Sequence, residues 1–573
     1  MMDYRWKIAE ALSGVSDAVT TEEFAGLIEV PPNPQMGDFS LPCFKLSKSL
    51  RKAPPVIAEE LRAGIDAAGL YFVEKVEAVS GYVNLFLDQA VFAREVISGV
   101  LAAGERYGAD TLGSGKTIVI DFSSPNIAKP FHVGHLRSTM IGQALGNIHR
   151  YLGYNVVGIN HLGDWGTQFG KQIVAYKKWG NEADVEANDV RELVRLYVKF
   201  HEEAEQHPEL EDEARAEFLK LEQGDPEAVR LWKWFIEISY RQFNKIYELL
   251  GVSFDSLAGE SFYNDKMAAT VQELEEKQLL TEDDGARIVR LDDYNMPPAL
   301  IIKSDGATLY HTRDIAAALY RQQTYDFEKA IYVTDYAQNL HFAQWFKVIE
   351  LMGYEWASKL VHVPFGRVHL ETGGFSTRKG NAIWLEDVLA QAIAKTADII
   401  EAKNPDLENK EQVAREVGVG AIVFHDLKSN RIKDVIFSWE EMLSFDGETG
   451  PYVQYTHARG CSLLRKAADQ YGDDSESTQW QEELLVGPEA SQVLTDLYQF
   501  PDRIRQAMEK LEPSIISRHL VDLSQSFNRF YHECPIVVED TQLRAARLAL
   551  VRSTVLVLKT GLALIGLAAP EKI

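Results

Sequence analysis

One segment constrains the fold of this 573-residue chain more than any other, because it alternates between two kinds of pattern. Short apolar runs occupy residues 117–122 (TIVIDF) and 154–159 (YNVVGI), and a helix-like pattern occupies residues 134–152 between them. Two buried strands joined through a helix are typical of one parallel βαβ unit. We therefore predict an α/β fold with a parallel sheet in this part of the chain.

The same reasoning divides the chain into four predicted segments. Turn-rich residues 108–115 (GADTLGSG) end a small α/β region. Further apolar runs are expected to finish the parallel sheet, at residues 299–303, 330–334 and 359–364. The predicted segments are an α/β domain at 1–112, the sheet domain at 113–388 with a charged helical insertion at about 171–290, a helical connector at 389–442 and an all-α domain at 443–573.

Composition and charge limit the classes of protein to which this chain can belong. The net charge is −26, from 59 basic and 85 acidic residues, which favours solubility and argues against a sequence-independent grip on nucleic acid. The three cysteines are far apart, so we expect neither a disulfide scaffold nor a zinc ribbon, and a reducing, cytoplasmic location fits best. The N-terminus lacks the apolar core of a signal peptide, and the apolar stretch at 553–570 is too short to span a membrane.

A histidine pair follows the first predicted strand, where the helix is expected to begin. His132 and His135 flank Gly134 in the string HVGH, and Lys129 precedes them by three residues. Glycine lets a ligand approach the backbone closely, and a helix N-terminus offers free N–H groups and a positive dipole to an anion. Together these groups predict a site for a nucleotide triphosphate. Two alternatives use the same residues: a metal site completed by His161, or a structural pair of histidines.

A second, basic loop lies late in the predicted sheet domain, in the string GGFSTRKGN at 373–381. Its glycines, hydroxyls and cations are able to close over phosphates, although such a loop is also compatible with an ordinary solvated turn. The residues concerned are Phe375, Ser376, Thr377, Arg378 and Lys379.

The string GSGKT at 113–117 is similar to the end of a P-loop, but it precedes its strand, so we interpret it as a turn.

These two motifs resemble the signature motifs of class I aminoacyl-tRNA synthetases. HVGH is similar to their HIGH motif, and FSTRKG is similar to a variant of their KMSKS loop. Longer strings resemble one family within that class, the arginyl-tRNA synthetases: SSPNIAKPFHVGHLRS, GDWGTQFG, TLYHTRDIAAA and GPYVQYTHAR. The resemblance covers essentially the whole chain. It implies a Rossmann-like catalytic domain at 113–388, an N-terminal tRNA-binding domain that contacts the D-loop and a C-terminal anticodon-binding domain.

The resemblance implies a two-step reaction. The carboxylate of L-arginine attacks the α-phosphate of ATP, which gives arginyl-adenylate and pyrophosphate, and the arginyl group then passes to the 3′ end of tRNA-Arg. ATP with Mg²⁺ is the expected substrate complex, with no tightly bound cofactor and no protein-bound metal. Such chemistry needs positioning and charge stabilisation rather than a protein nucleophile. The implied catalytic groups are Lys129, His132, His135, Ser376, Arg378 and Lys379, and the implied ATP-binding groups add Gly134, Phe375 and Thr377.

One departure from the family pattern concerns the KMSKS-like loop. Gly374 and Thr377 stand where the pattern has its two lysines, and Lys379 lies just outside the motif. In many arginyl-tRNA synthetases with this departure, a lysine just before the HIGH motif is thought to substitute. Lys129 holds that position here.

Arginine selection requires a different set of groups, because a guanidinium is a planar fork of donors that a carboxylate matches best. Tyr310 and Asp314 are four residues apart, so they share one face if that segment is helical. The arginine-binding positions that the resemblance carries over are Asp121, Ser123, Asn126, His132, Tyr310, Asp314 and Gln338.

The resemblance also implies tRNA contacts at both ends of the chain. Tyr82 and Asn84 are candidates in the N-terminal domain, and Tyr452 and Tyr455 are candidates near the anticodon-binding domain. We expect a monomer without membrane attachment. The rival functions are another class I synthetase, a catalytically silent tRNA-binding relative and a small nucleotidyltransferase that uses an HxGH motif.

Overall fold

The fold is that of a computed structural model, which describes residues 3–16, 18–31, 33–304, 310–370, 384–472 and 480–573. The chain forms two compact units, each assembled from separate stretches of sequence. The first unit comprises Met1–Tyr107, Arg459–Phe500 and Asp522–Leu558, and the second comprises Gly108–Ala458, Pro501–Val521 and Lys559–Ile573. The domain boundaries inferred from the sequence stay predictions.

The strands, in chain order, are β1 Phe39–Pro42, β2 Val73–Val79, β3 Tyr82–Leu87, β4 Thr117–Asp121, β5 Asn155–Ile159, β6 Leu280–Asp283, β7 Ala286–Val289, β8 Ala299–Ile302, β9 Lys329–Asp335, β10 Leu360–Phe365, β11 Val368–Leu370 and β12 Val435–Phe437. Short 3-10 helices include Pro34–Met36, Cys43–Leu46, Gly104–Arg106, Glu260–Lys266, Asp292–Tyr294, Tyr336–Gln338, Glu355–Lys359 and Glu482–Leu485.

The α-helices, in chain order, are α1 Tyr4–Ser13, α2 Thr21–Leu27, α3 Ser47–Leu50, α4 Pro54–Ala68, α5 Gln89–Ala103, α6 Val133–Tyr151, α7 Gln168–Trp179, α8 Glu182–Gln206, α9 Glu209–Glu222, α10 Pro226–Leu250, α11 Met267–Glu276, α12 Tyr310–Tyr325, α13 Asn339–Leu351, α14 Leu385–Lys403, α15 Lys410–Leu427, α16 Trp439–Met442, α17 Gly450–Tyr471, α18 Pro488–Lys510, α19 Ser514–Glu533 and α20 Thr541–Leu564.

The first unit is built on a three-stranded antiparallel sheet in the order β1-β3-β2. Helix α5 begins where Asp88 accepts hydrogen bonds from the backbone N–H groups of Ala90 and Val91, which is a standard N-cap. Tyr498 of α18 packs against Tyr4 and Phe92, with ring centroids 5.5 and 5.6 Å apart respectively. Aromatic packing therefore joins the N-terminal residues and α18 in one core.

The second unit contains the predicted parallel sheet, and the expected α/β fold class is confirmed. Its four strands lie in the order β10-β9-β4-β5, and all three neighbouring pairs are parallel. Helix α6 is the crossover from β4 to β5, as the sequence pattern predicted, and its N-terminus follows the carboxyl end of β4. Ligands of open parallel sheets bind at that edge.

One strand prediction was wrong. The apolar run at 299–303 was expected to complete the parallel sheet, but β8 instead pairs antiparallel with β7 in a separate sheet, β6-β7-β8. The reason is local: β6 and β7 form an antiparallel hairpin immediately before β8, so the nearest free edge belongs to that hairpin. The predicted helical connector also contains a strand, β12, which pairs with β11.

The C-terminal region is helical from α17 to α20, as expected. The charged insertion predicted as helical at about 171–290 contains helices α7 to α11, but it also contains the strands β6 and β7 at its end. Among the described residues, each helix is too short or too polar to cross a membrane.

A buried arginine fixes the helix that carries the histidine pair. Arg137 of α6 lies 3.0 Å from Asp426 of α15, with side chains 1% and 4% exposed. Its guanidinium also donates to the backbone carbonyls of Gly366 and Lys433, which precede β11 and β12. A buried charge is tolerated only when it is paired and hydrogen-bonded. Arg137 therefore ties α6 to the strand pair β11 and β12.

Candidate active site

A cleft of about 630 Å³ opens at the carboxyl ends of the parallel strands in the second unit. Asp121 ends β4, Asp335 ends β9 and Phe365 ends β10, and all three line the cleft. The cleft brings together nine of the residues singled out in the sequence: Asp121, Asn126, His132, Gly134, His135, His161, Tyr310, Asp314 and Gln338. Residues 375–379 of the basic loop lie outside the described residues.

The two histidines cap the N-terminus of α6 reciprocally. Nδ1 of His132 accepts the N–H of Gly134, and Nδ1 of His135 accepts the N–H of His132, each at 3.1 Å. Their rings stack with centroids 3.9 Å apart. A Cβ on Gly134 would lie 2.9 Å from the ring of His132, so this position requires glycine. Since both Nδ1 atoms accept, both neutral rings carry their hydrogen on Nε2.

Burial keeps these histidines neutral. It lowers the pKa of His132 to about 4. The pKa of His135 is lowered well below its ordinary value by burial first and then by the charges of His132 and Lys129. Lys129 therefore lies close enough to His135 to affect its protonation, although it is not among the residues that line the cleft. Neutral imidazoles at a helix N-terminus offer N–H donors to an anion without a full charge of their own.

The alternative of a metal centre gains no support from the histidine geometry. Both Nδ1 atoms of the pair already accept backbone hydrogen bonds, and Nδ1 of His161 lies 3.2 Å from the carbonyl oxygen of Ala258. Within the described part of the chain, no group of three or more His, Cys, Asp or Glu side chains is arranged to hold a metal ion.

Helix α12 presents the predicted arginine-reading residues to the cleft. Tyr310 begins this helix and Asp314 follows one turn later, so the shared face predicted from their spacing exists. Oδ2 of Asp314 lies 2.5 Å from Nε2 of His341, which belongs to the neighbouring helix α13. Gln338 ends the short 3-10 helix before α13 and is exposed at the same cleft.

Glu260 is a cleft residue that the sequence reasoning missed. Its Oε2 lies 3.2 Å from Arg313, and the two side chains are 18% and 11% exposed. Burial raises the pKa of Glu260 to about 7, an effect that Asp314 and Asp164 reinforce and that Arg313 opposes. No periodic pattern marks this residue in the string AGESFYND; only the fold brings its carboxyl into the cleft.

Asp121 already has a partner within the protein. Its Oδ2 lies 2.8 Å from Arg321, which is almost fully buried, and its Oδ1 accepts a hydrogen bond from Ser124. Ser123 is fully buried, and its hydroxyl lies 3.1 Å from the phenol oxygen of Tyr247 and 2.5 Å from Thr139. Neither side chain is free in the way that a direct contact with substrate arginine would require, so these two roles stay predictions.

The candidate tRNA contacts differ in accessibility. Asn84 of β3 is buried and accepts a hydrogen bond from the hydroxyl of Ser40 at 2.7 Å. Tyr82, also of β3, is partly buried against Phe44, which is itself half exposed. On α17, Tyr455 is 40% exposed, whereas Tyr452 is partly buried. The structure thus leaves Tyr82 and Tyr455 more accessible than Asn84, and all four roles stay predictions.

Comparison with known proteins covers the chain from end to end. Three family models match: "Arginyl tRNA synthetase N terminal domain" at residues 2–87, "tRNA synthetases class I (R), catalytic domain" at 96–439 and "DALR anticodon binding domain" at 453–573. The arginine–tRNA ligases of Alkaliphilus metalliredigens and Clostridioides difficile are 55% and 54% identical over 572 residues, which is 100% of each chain.

Solved structures agree with these relatives. The arginyl-tRNA synthetase of Thermus thermophilus superimposes with a TM-score of 0.81 at 28% identity, covering 99% of this chain and 100% of that one. The enzyme of Plasmodium falciparum superimposes with a TM-score of 0.79 at 25% identity, covering 99% and 98%.

A parallel sheet with a histidine pair at the first strand-to-helix junction, and a family match over that region, define a class I aminoacyl-tRNA synthetase. The chain belongs to the arginyl-tRNA synthetase family within that class. It uses ATP to activate L-arginine as arginyl-adenylate and transfers the arginyl group to tRNA-Arg. The rival functions named above are thereby set aside.

Proposed function

We propose that the cleft in the second unit is the adenylation site, with one side for ATP and one for arginine. The observation that carries this proposal is the meeting of two kinds of group in one cleft. Neutral histidines at the N-terminus of α6 suit a triphosphate, and the carboxylate of Asp314 suits a guanidinium. The same cleft therefore matches both partners of the activation step.

On the ATP side, His132 and His135 present Nε2–H groups to the phosphates. The missing side chain of Gly134 makes room for the ring of His132, and Lys129 adds a positive charge near His135. Phe375, Ser376, Thr377, Arg378 and Lys379 form the loop proposed to close over the nucleotide. ATP enters as its Mg²⁺ complex, since the triphosphate itself supplies the oxygen ligands that this ion prefers.

On the arginine side, Asp314 is the proposed acceptor for the guanidinium, and Glu260, which pairs with Arg313, adds negative charge to the same cleft when it is ionised. Tyr310 and Gln338 line the same cleft and are proposed to add polar contacts, and Asn126, another lining residue, is proposed to hold the amino-acid end. Asp121 acts mainly by fixing Arg321, and Ser123 by fixing the strand-to-helix turn through Thr139. A carboxylate left unpaired by an uncharged analogue penalises that analogue strongly.

The test of the arginine side is Asp314→Asn, assayed by arginine-dependent pyrophosphate exchange. We expect the KM for arginine to rise by about 10- to 100-fold with little change in the KM for ATP, because only the charged hydrogen bond to the guanidinium is lost. Asp387→Asn is a matched control, since that carboxylate is exposed and pairs with Arg191 on the surface. Equal effects of Asp314→Asn on both KM values would contradict the assignment.

We propose further that tRNA-Arg contacts Tyr82 and Asn84 through its D-loop and Tyr452 and Tyr455 near the anticodon. Exposed aromatic rings stack on unpaired bases. The protein is proposed to act as a monomer in the cytoplasm, where its free cysteines stay reduced. Light scattering after size-exclusion chromatography tests the monomer, and pyrophosphate exchange with and without tRNA tests whether activation depends on tRNA.

A further inference from the structure

The carboxylate proposed to bind the guanidinium of arginine is itself hydrogen-bonded to an imidazole. Oδ2 of Asp314 lies 2.5 Å from Nε2 of His341, and both side chains line the cleft. An ionised carboxylate only accepts hydrogen bonds, so Nε2 of His341 is the donor. The structure gives the second oxygen, Oδ1, no hydrogen bond to any described residue.

The imidazole is in turn fixed by its neighbours. The ring of His341 packs against His311 and Phe342, with centroids 4.5 and 5.6 Å away. Nε2 of His311 lies 3.2 Å from the side-chain oxygen of Gln344, and the amide of Gln344 donates to the carbonyl of Pro297 at 2.8 Å. A chain of contacts therefore connects Asp314 through two imidazoles to the backbone, and His341 has little freedom to turn away.

Fixing one oxygen of a carboxylate affects how the group binds a guanidinium, which has parallel N–H groups. The terminal torsion of aspartate is broad, so an unheld carboxylate samples many orientations. Holding Oδ2 defines the plane of the group and the direction in which Oδ1 points. A guanidinium requires that plane, because its parallel N–H groups match the carboxylate only when the two planes agree.

We propose that His341 is a positioning residue for arginine selection: it donates to Oδ2 of Asp314 and leaves Oδ1 oriented for the N–H groups of the guanidinium. This inference rests on the proposed function of Asp314 as the guanidinium acceptor. His341 acts through Asp314 and need not touch the substrate. Its loss should therefore weaken arginine binding selectively, because ATP is proposed to bind at the N-terminus of α6.

The first experiment compares His341→Ala with His341→Gln in arginine-dependent pyrophosphate exchange by the full-length protein. We expect His341→Ala to raise the KM for arginine by about 10- to 100-fold, the value of one hydrogen bond to a charged group, while the KM for ATP changes little. The amide of glutamine can place an N–H close to the position of Nε2. His341→Gln should therefore return the KM for arginine to within about threefold of the original value.

His207→Ala provides a matched control, because His207 pairs with Glu209 at 3.1 Å on the exposed surface. Thermal unfolding of every variant shows whether the fold is intact. A purely structural role for His341 predicts lower stability and equal changes in both KM values, with no rescue by glutamine. Either that pattern or an unchanged KM for arginine in His341→Ala would overturn the proposal.

The second experiment is a double-mutant cycle with Asp314→Asn. If His341 acts through Asp314, adding His341→Ala to Asp314→Asn should change the KM for arginine by less than about twofold. Multiplying effects would show that His341 acts separately and would overturn this inference alone. If Asp314→Asn by itself left the KM for arginine unchanged, the proposed function of Asp314 would fall, and this inference with it.

Discussion

The carboxylate of Asp121 is paired with Arg321 in the wall of the cleft. Nη1 of Arg321 lies 2.8 Å from Oδ2 of Asp121, and the two side chains are 1% and 11% exposed. The rings of Tyr263 and Tyr332 lie 5.9 and 5.5 Å from the guanidinium carbon. The guanidinium that pairs with Asp121 is therefore that of Arg321, a residue of the protein. It is not that of substrate arginine, which carries the same group.

This pair predicts that Asp121→Asn acts first on stability. The substitution leaves the buried guanidinium of Arg321 without its counter-charge, which typically costs about 3–5 kcal/mol. Chemical denaturation should show that loss. Asp212→Asn is the control, because its exposed ion pair with Arg215 is worth at most about 1 kcal/mol. A stable Asp121→Asn with only a raised KM for arginine would instead favour direct substrate binding.

The contrast between Asp121 and Glu260 shows what the sequence could and could not predict. The motif around Asp121 identifies a carboxylate at the end of a strand, but its partner, Arg321, lies far along the chain. Glu260 belongs to no motif, and its raised pKa arises from burial in the folded protein, which Asp314 of α12 reinforces and Arg313 opposes. Long-range pairing decides whether a carboxylate is available to a ligand, and local patterns do not contain it.

Secondary structure was more predictable because its signals are local. Helix α6 spans Val133–Tyr151 where the pattern indicated 134–152, since helical periodicity depends only on neighbouring residues. The run at 299–303 was recognised as a strand, yet its sheet was assigned wrongly. The direction and partner of a strand depend on which sheet edge is free in the folded chain. The residues of the strand alone do not determine that edge.

The raised pKa of Glu260 predicts a pH-dependent affinity for arginine. With a pKa of about 7, the carboxyl is mostly neutral below that pH and mostly ionised above it. A guanidinium prefers the ionised form, so the KM for arginine should fall as the pH rises from about 6 to about 8. The charged groups that influence Glu260 are Arg313, Asp314, Asp164 and Lys129.

The matched variant for this prediction is Glu260→Gln, which cannot ionise. Its KM for arginine should be higher at about pH 8 and should lose most of its dependence on pH. KM values for arginine measured across the range in both proteins give the comparison. If the variant kept the slope of the original protein, another group would be responsible.

The lowered pKa of His132 predicts that acid weakens the fold through this residue. The folded protein holds the imidazole neutral down to about pH 4, whereas the unfolded chain protonates it near pH 6.5. The free energy of unfolding should therefore fall as the pH drops from about 6.5 to about 4, by roughly 2–3 kcal/mol from this residue. His132→Asn keeps an N-cap acceptor without titrating, so its unfolding should depend less steeply on pH. Equal slopes in the two proteins would refute this assignment.

Lys129 is predicted to stabilise the charge that develops on the phosphates of ATP. Its charge acts on His135, and the KMSKS-like loop lacks both lysines of the family pattern, so Lys129 is the cation expected to substitute for them. Lys129→Ala should lower the rate of pyrophosphate exchange by about 30- to 1,000-fold, as loss of one transition-state donor typically does. The KM for arginine should change much less, because the guanidinium is proposed to bind elsewhere in the cleft.

Two further variants separate charge from shape at this position. Lys129→Arg keeps the positive charge and should retain part of the exchange rate, although the guanidinium differs in reach and geometry. Lys116→Ala removes an exposed lysine just before β4 and should leave the rate unchanged, which controls for the overall charge of the chain. Near-normal exchange in Lys129→Ala would remove this residue from the chemical step and would leave the histidines and the basic loop to stabilise the phosphates.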